Sequence, residues 1–200
     1  LYDCATAPSP RRARILLAEK GIAHDTVQID LRAGEQLGEA YRRINPQCTV
    51  PALRTDEGTL LTDNAAIAAY LEARYPEPPL MGVTPLDKAE IASWQWRIEF
   101  EGLMAVAEAL RNSSPAMVDR ALPGPVNYPQ IPQLAERGLA RLQHFLVDVD
   151  RQLADREFIA GDYSIADMAC YPWIVPHRKQ GQNLDDFPHL KRWFGAIRER

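Results

Sequence analysis

Ala13, Leu16 and Leu17 are apolar at i, i+3 and i+4 between Ser9-Pro10 and Gly21. That spacing predicts a helix with Ser9 as N-cap, Pro10 at the first helical position and glycine at its end. Leu1 to Cys4 is a short apolar run before it. After it, Val27, Ile29 and Leu31 alternate with Gln28 and Asp30, the period of a strand. A polar helical stretch from about residue 34 to 44 ends at Asn45-Pro46. Val50 to Leu53 and Thr59 to Leu61 then flank the turn signal Asp56-Glu57-Gly58, which predicts a hairpin. Asp63-Asn64 opens another helix, with Ile67, Tyr70 and Leu71 on one face, running to about Tyr75. The order βαβαββα predicts a small mixed sheet covered by helices.

The pattern changes at Pro76-Glu77-Pro78-Pro79 and on through Pro85. Proline removes a backbone donor and keeps the preceding residue out of helical angles, so this stretch reads as an extended linker. The expected organisation is a first domain over 1–75, a linker over 76–86 and a second domain over 87–200. In the second, residues 87–111, 130–156, 164–178 and 188–200 all carry helical periodicity. The expected fold class is therefore α/β plus all-α. Residues 112–129 are looser and are expected to join two long antiparallel helices. Pro172 and Pro176 are expected to kink or end the helix that starts near Ser164.

Composition narrows the function classes. With 200 residues, 46% hydrophobic and 25% charged, the chain can bury a core without disulfides or a metal. A net charge of -4 with both signs interspersed excludes a basic footprint for nucleic acid or an anionic membrane, and leaves a small molecule or a protein as partner. Cys4, Cys48 and Cys170 form no C-x-x-C and suit reduced thiols in the cytoplasm. No apolar run approaches the roughly 18 residues of a membrane span, and no basic-then-apolar leader opens the chain. His24, His144, His177 and His189 lack zinc-ligand spacing, and there is neither a G-x-S-x-G elbow nor a glycine-rich phosphate loop. Arg11, Arg12 and Arg14 read as the solvated face of the first helix.

Several motifs carry more specific information. Ser164-Ile-Ala-Asp167 is a capping box, with Tyr163 and Met168 placed as a hydrophobic staple. Val50-Pro51 precedes the hairpin, where a cis X-Pro bond would aim the backbone N–H and C=O of the preceding residue out of the sheet. Asp63-Asn64 puts an acceptor beside donors at a helix start, where the helix adds positive partial charge. Both residues are also favoured N-caps. Taken in order, Val50-Pro51-Ala52-Leu53, Asp63-Asn64-Ala65-Ala66-Ile67-Ala68 and Ser164-Ile165-Ala166-Asp167 resemble the glutathione transferase family. The first helix, from Ser9 to Gly21, is similar to that of bacterial and fungal members near the phi class and the yeast type.

The resemblance implies a thioredoxin-like N-terminal domain that binds glutathione and an all-helical C-terminal domain. It implies that Val50 grips the cysteinyl backbone of glutathione, that Asp63 takes the γ-glutamyl amine, and that Asn64 with the helix amides takes the carboxylate. Family members more often carry Glu-Ser or Asp-Ser here. Thr49 would touch the tripeptide backbone, and Gln36 would approach the glycyl carboxylate where relatives carry a cation. Ser9 is the candidate catalytic hydroxyl, with Thr6 and Tyr2 as alternatives. The nucleophile is a thiolate, and a free thiol has a pKa of about 8.5. Lowering it by about two units takes roughly 2.7 kcal/mol. A hydrogen bond to a charged acceptor supplies about 1.5 to 3 kcal/mol, and a helix N-terminus up to about 2. These suffice without metal or cofactor, glutathione being a co-substrate. Ser9 as a plain cap remains the alternative.

The implied reaction joins glutathione to a small hydrophobic electrophile, and the implied assembly is a homodimer. Cys48, close to Pro51, leaves open a glutathione-dependent thiol/disulfide reductase, and a non-catalytic glutathione or ligand carrier is a third reading. Trp94, Trp96, Phe100 and Met104 line the electrophile pocket or belong to the core.

Overall fold

The structure, a computed structural model, describes residues 1–178 and 184–200. It divides into two compact units, Leu1–Pro78 with Leu122–Tyr128, and Pro79–Ala121 with Pro129–Arg200.

In the first unit, β1 (Tyr2–Asp3) pairs in parallel with β2 (Val27–Gln28), and α1 (Pro8–Glu19) is the crossover between them. β3 (Leu53–Arg54) and β4 (Leu60–Leu61) form the antiparallel hairpin. An antiparallel bridge between Tyr2 and Ala52 links the two pairs into one mixed arrangement. The strands are shorter than their alternation predicts, although the Ile29 amide still bonds the Asp3 carbonyl at 2.7 Å. α3 (Asn64–Arg74) packs on α1, burying Ile67, Ala68 and Leu71 on one helix and Ala13, Leu16 and Leu17 on the other. The buried Lys20 ammonium closes the end of α1, donating to the Tyr75 carbonyl at 2.6 Å and pairing with Glu72 at 2.8 Å.

Three expectations for this unit are corrected. The stretch over 34–44 is not one helix: a 3₁₀ turn (Glu35–Leu37) and the single turn α2 (Glu39–Arg42) are separated by Gly38 in extended geometry. Gly34 at φ +76° opens it, and glycine costs about 1 kcal/mol in a helix relative to alanine. Tyr41 of α2 still reaches the core beside Ile29 and Val50. α1 starts at Pro8, not Pro10. Its N-cap is Ala7, extended as a residue before proline prefers, which puts Ser9 inside the first turn rather than at the cap. The arginine cluster is not a solvated face: Arg12 is buried, and Arg14 pairs with the buried Asp3 carboxylate and donates to the Ala5 carbonyl at 3.2 Å. Gln28 satisfies the other Asp3 oxygen at 2.7 Å.

Among the described residues, the second unit is built of helices joined by loops, with isolated bridges between Phe158 and Gly161 and between Ala160 and Asp162. α4 (Pro85–Arg97) opens with a capping box between Thr84 and Asp87 and passes through a π-helical turn (Ile98–Leu103) into α5 (Met104–Ser113). A 3₁₀ turn (Pro115–Met117) and a loop lead to α6 (Pro132–Gln152), followed by α7 (Ile165–Arg178) and α8 (Pro188–Arg198). Trp94 is core, whereas Trp96 and Phe100 are exposed and stacked at 5.0 Å, and Met104 is exposed. α7 runs through Pro172 and Pro176 instead of ending there. Ala166, Ala169, Trp173 and Ile174 of α7 are buried, and this packing outweighs the roughly 3 kcal/mol that an internal proline costs. Among the described residues, no helix is long and apolar enough to cross a membrane.

One half of the capping box at α7 forms as its spacing predicts, Asp167 accepting from the Ser164 amide at 3.0 Å, while Ser164 Oγ accepts from the Ala166 amide at 3.3 Å, one position short of Asp167. Tyr163 lies edge-on to Phe158 at 5.5 Å, under the Arg200 guanidinium. α5 and α6 pack antiparallel at close range because Gly138 lacks a side chain. A Cβ there would lie 2.6 Å from the Ala105 carbonyl oxygen and 2.7 Å from the Ala109 amide nitrogen. Gly138→Ala is therefore expected to destabilise the protein by about 1 to 3 kcal/mol, despite the roughly 1 kcal/mol that alanine gains in helix propensity. Urea unfolding measures this, and a rise in the midpoint would refute the close packing.

Candidate functional site

The first unit brings the starts of α1 and α3 together. Asn64, the first residue of α3, donates from Nδ2 to Ser9 Oγ at 2.9 Å and to the Ser9 carbonyl at 3.2 Å. Pro8 and Pro10 carry no N–H, so the Ser9 amide is the one donor among the first three residues of α1. That amide and the Ser9 hydroxyl proton have no acceptor among the described residues. Ser9 is half-buried, open enough to meet a ligand and held tightly enough to keep one orientation.

Asp63 is the N-cap of α3, and its Oδ1 accepts from the Ala66 amide at 2.7 Å. The side chain is exposed, and Oδ2 has no partner among the described residues, so capping leaves one carboxylate oxygen for a cation. The amides of Asn64 and Ala65 occupy the first two helical positions, which have no intrahelical acceptor. A free carboxylate oxygen beside two amides at a helix start suits the zwitterionic end of an amino acid.

The Val50–Pro51 peptide is cis. Neither the amide nor the carbonyl of Val50 hydrogen-bonds within the described residues, so one donor and one acceptor stand together. Ala52, just beyond, is bridged to Tyr2, and β1 continues through the turn at Cys4 to α1. Strand β1 thus connects the Val50 peptide to the Ser9 turn. The Thr49 carbonyl instead faces inward, accepting from Tyr41 Oη at 2.7 Å and Asn45 Nδ2 at 2.8 Å. Burial pushes the Tyr41 hydroxyl up to about 12. Gln36 sits in the 3₁₀ turn with Oε1 enclosed and unbonded, and makes no contact with the Ser9 cluster among the described residues.

The other hydroxyls and thiols are placed differently. Tyr2 packs edge-on against Tyr41 at 6.1 Å, and Thr6 is exposed beside the Cys4 thiol at 3.6 Å. Cys48 is buried at φ +56°, its thiol 3.6 Å from the Pro46 carbonyl. Burial and then the Asp167 carboxylate push the Cys170 thiol well up, which keeps it protonated. Among the described residues, no cluster of His, Cys, Asp and Glu could hold a metal. The His177 side chain lies outside the described residues. Sequence reading missed the Asn64 to Ser9 contact, because no periodicity or spacing links positions 55 apart.

These features define a class: a thioredoxin-like domain with a cis-proline turn, followed by an all-helical domain. Residues 6–74 match the glutathione S-transferase N-terminal domain, and residues 115–200 match the glutathione S-transferase C-terminal domain. The chain is 34% identical over 205 residues to glutathione S-transferase 2 of Saccharomyces cerevisiae, spanning 100% of this chain and 85% of that one. A glutathione S-transferase domain-containing protein from Marinobacter aquaeolei VT8 has a similar structure, with TM-score 0.89 and 29% identity, covering 100% of this chain and 97% of that one. Gtt2 of Saccharomyces cerevisiae superposes with TM-score 0.88 and 30% identity, covering 100% and 95%. The chain belongs to the glutathione S-transferase family and is a glutathione transferase.

Proposed function

We propose that the chain binds glutathione in its first unit, holds the thiol as thiolate with Ser9, and transfers it to a small hydrophobic electrophile. The single observation behind this reading is the pair of helix starts, where Ser9 keeps a free O–H and N–H while Asp63 and the α3 amides stand open. Asp63 Oδ2 takes the γ-glutamyl amine, and the Asn64 and Ala65 amides take its carboxylate. The amide and carbonyl of Val50 pair with the cysteinyl backbone. Thr49 and Gln36 are assigned to the tripeptide backbone and the glycyl carboxylate. The thiolate sulfur then attacks an electrophilic carbon, forming a thioether while the electron pair moves to the leaving group or adjacent acceptor. Glutathione is the co-substrate, and the step requires no metal or further cofactor. We assign the protein to the cytoplasm as a homodimer, in keeping with its family. A reductase centred on Cys48 is not favoured, since a buried thiol bonded to a carbonyl has little access to a disulfide.

Binding is tested by calorimetry with reduced glutathione. Asp63→Ala is expected to weaken it by roughly tenfold to a hundredfold, the loss of one charge-assisted hydrogen bond. Losing the cap should cost about 1 kcal/mol of stability as well. Unchanged affinity would remove Asp63 from the site.

A further inference from the structure

We propose that Asn64 is a positioning residue for Ser9, committing the serine hydroxyl to donate toward the bound sulfur. This rests on the reading of Ser9 as the thiol-activating group. The Ser9 carbonyl oxygen can only accept, and at 3.2 Å it faces the Asn64 side chain, so the amide must present its NH₂ there. The same nitrogen lies 2.9 Å from Ser9 Oγ, and an NH₂ can only donate. Ser9 Oγ is therefore the acceptor in this contact, and its own proton is left for another partner. No described residue offers one.

Two effects follow. Anchoring Oγ fixes the side-chain rotamer, which a serine on the first turn of a helix would otherwise leave free. Accepting one hydrogen bond also polarises the hydroxyl, so it donates the next more strongly, the cooperative effect seen in hydrogen-bond chains. Asn64 thus acts on the sulfur through Ser9 without touching it. An asparagine suits this better than a serine, whose hydroxyl can donate or accept and is too short to span both Ser9 oxygens. Asn64 meets Ser9 with its side chain and keeps its backbone amide for the ligand carboxylate.

The test is an ultraviolet titration of the thiolate on enzyme saturated with glutathione, which separates ionisation from affinity. It compares wild type, Ser9→Ala, Asn64→Ala and the double variant. Asn64→Ala should raise the thiol midpoint by roughly half a unit to one unit in the wild-type background, and by nothing further in the Ser9→Ala background. Equal shifts in both backgrounds would mean that Asn64 acts on glutathione directly and would overturn the proposal. So would a shift from Ser9→Ala with none from Asn64→Ala. If Ser9→Ala itself leaves the midpoint unmoved, the reading of Ser9 fails and this inference goes with it, a distinguishable result. Asn64→Asp, of equal size but an acceptor, repeats the comparison: its shift should be larger with Ser9 present than without.

Discussion

Asp167→Ala is expected to destabilise the protein by about 4 kcal/mol or more, because three buried donors lose their acceptor at once, at about 1 to 3 kcal/mol each. Asp167 is fully buried. Its Oδ1 accepts from the Ile159 amide at 3.0 Å and the Trp193 indole at 2.8 Å, and its Oδ2 from the Ser164 amide at 3.0 Å. These bonds tie three parts of the helical unit together: the segment before α7, the first turn of α7, and α8. Burial pushes the carboxyl up while the donors pull it down. The donors face inward, so none can turn to water when the acceptor is removed. For a chain of this size the loss amounts to roughly 10 °C in melting temperature, read by calorimetry or far-ultraviolet circular dichroism. Asp167→Asn keeps one carbonyl oxygen for Ile159 and Trp193 but turns an NH₂ toward the Ser164 amide, so it should fall in between. A loss below about 1 kcal/mol for the alanine variant would show that the box is not a keystone of this unit.

Ser9→Ala is expected to leave glutathione affinity nearly unchanged and to raise the pKa of the bound thiol by about one to two units, the equivalent of one hydrogen bond to a charged acceptor. The sign is fixed by which form the hydroxyl favours. A donor to the thiolate stabilises the charged form and lowers the pKa, so its removal raises it. Below the wild-type midpoint, turnover should fall by roughly tenfold to a hundredfold with the thiolate fraction, and the loss should shrink as pH rises past the mutant midpoint. Because Ser9 lies inside the first turn of α1 and Ala7 is the cap, the substitution removes no capping bond. The one bond lost within the fold is that from Asn64 Nδ2 to Ser9 Oγ, so stability should fall by no more than about 0.5 to 1.5 kcal/mol. A large stability loss with an unmoved pKa would return Ser9 to a structural role.

The elements were legible where one period dominates. Ala13, Leu16 and Leu17, then Ile67 and Leu71, marked the two helices that pack together, and Ser164 with Asp167 marked a cap of which one half forms as spaced. Errors arose where a local rule had a competitor. Two prolines flank Ser9, and the first, not the second, starts the helix, since the extended Ala7 already satisfies the pre-proline preference. Charge near a helix start suggested solvation for Arg14, but a carboxylate on the adjacent strand end needed a partner. Pro172 and Pro176 suggested a kink or an end in α7, and the helix continues past both.

By itself, the sequence determined the βαβαββα order, the helical second half and the acceptor-beside-donor pair at Asp63-Asn64. These depend on residue type and on spacings within a few positions, which backbone geometry converts directly into structure. Only the tertiary structure decided that Asn64 donates to Ser9, that Asp3 takes Arg14 and Gln28, and that Trp193 closes on Asp167. Each joins residues that no local spacing connects, and such a bond is chosen by the packing that withdraws at least part of each pair from water, since a buried polar group without a partner costs more than the bond itself returns.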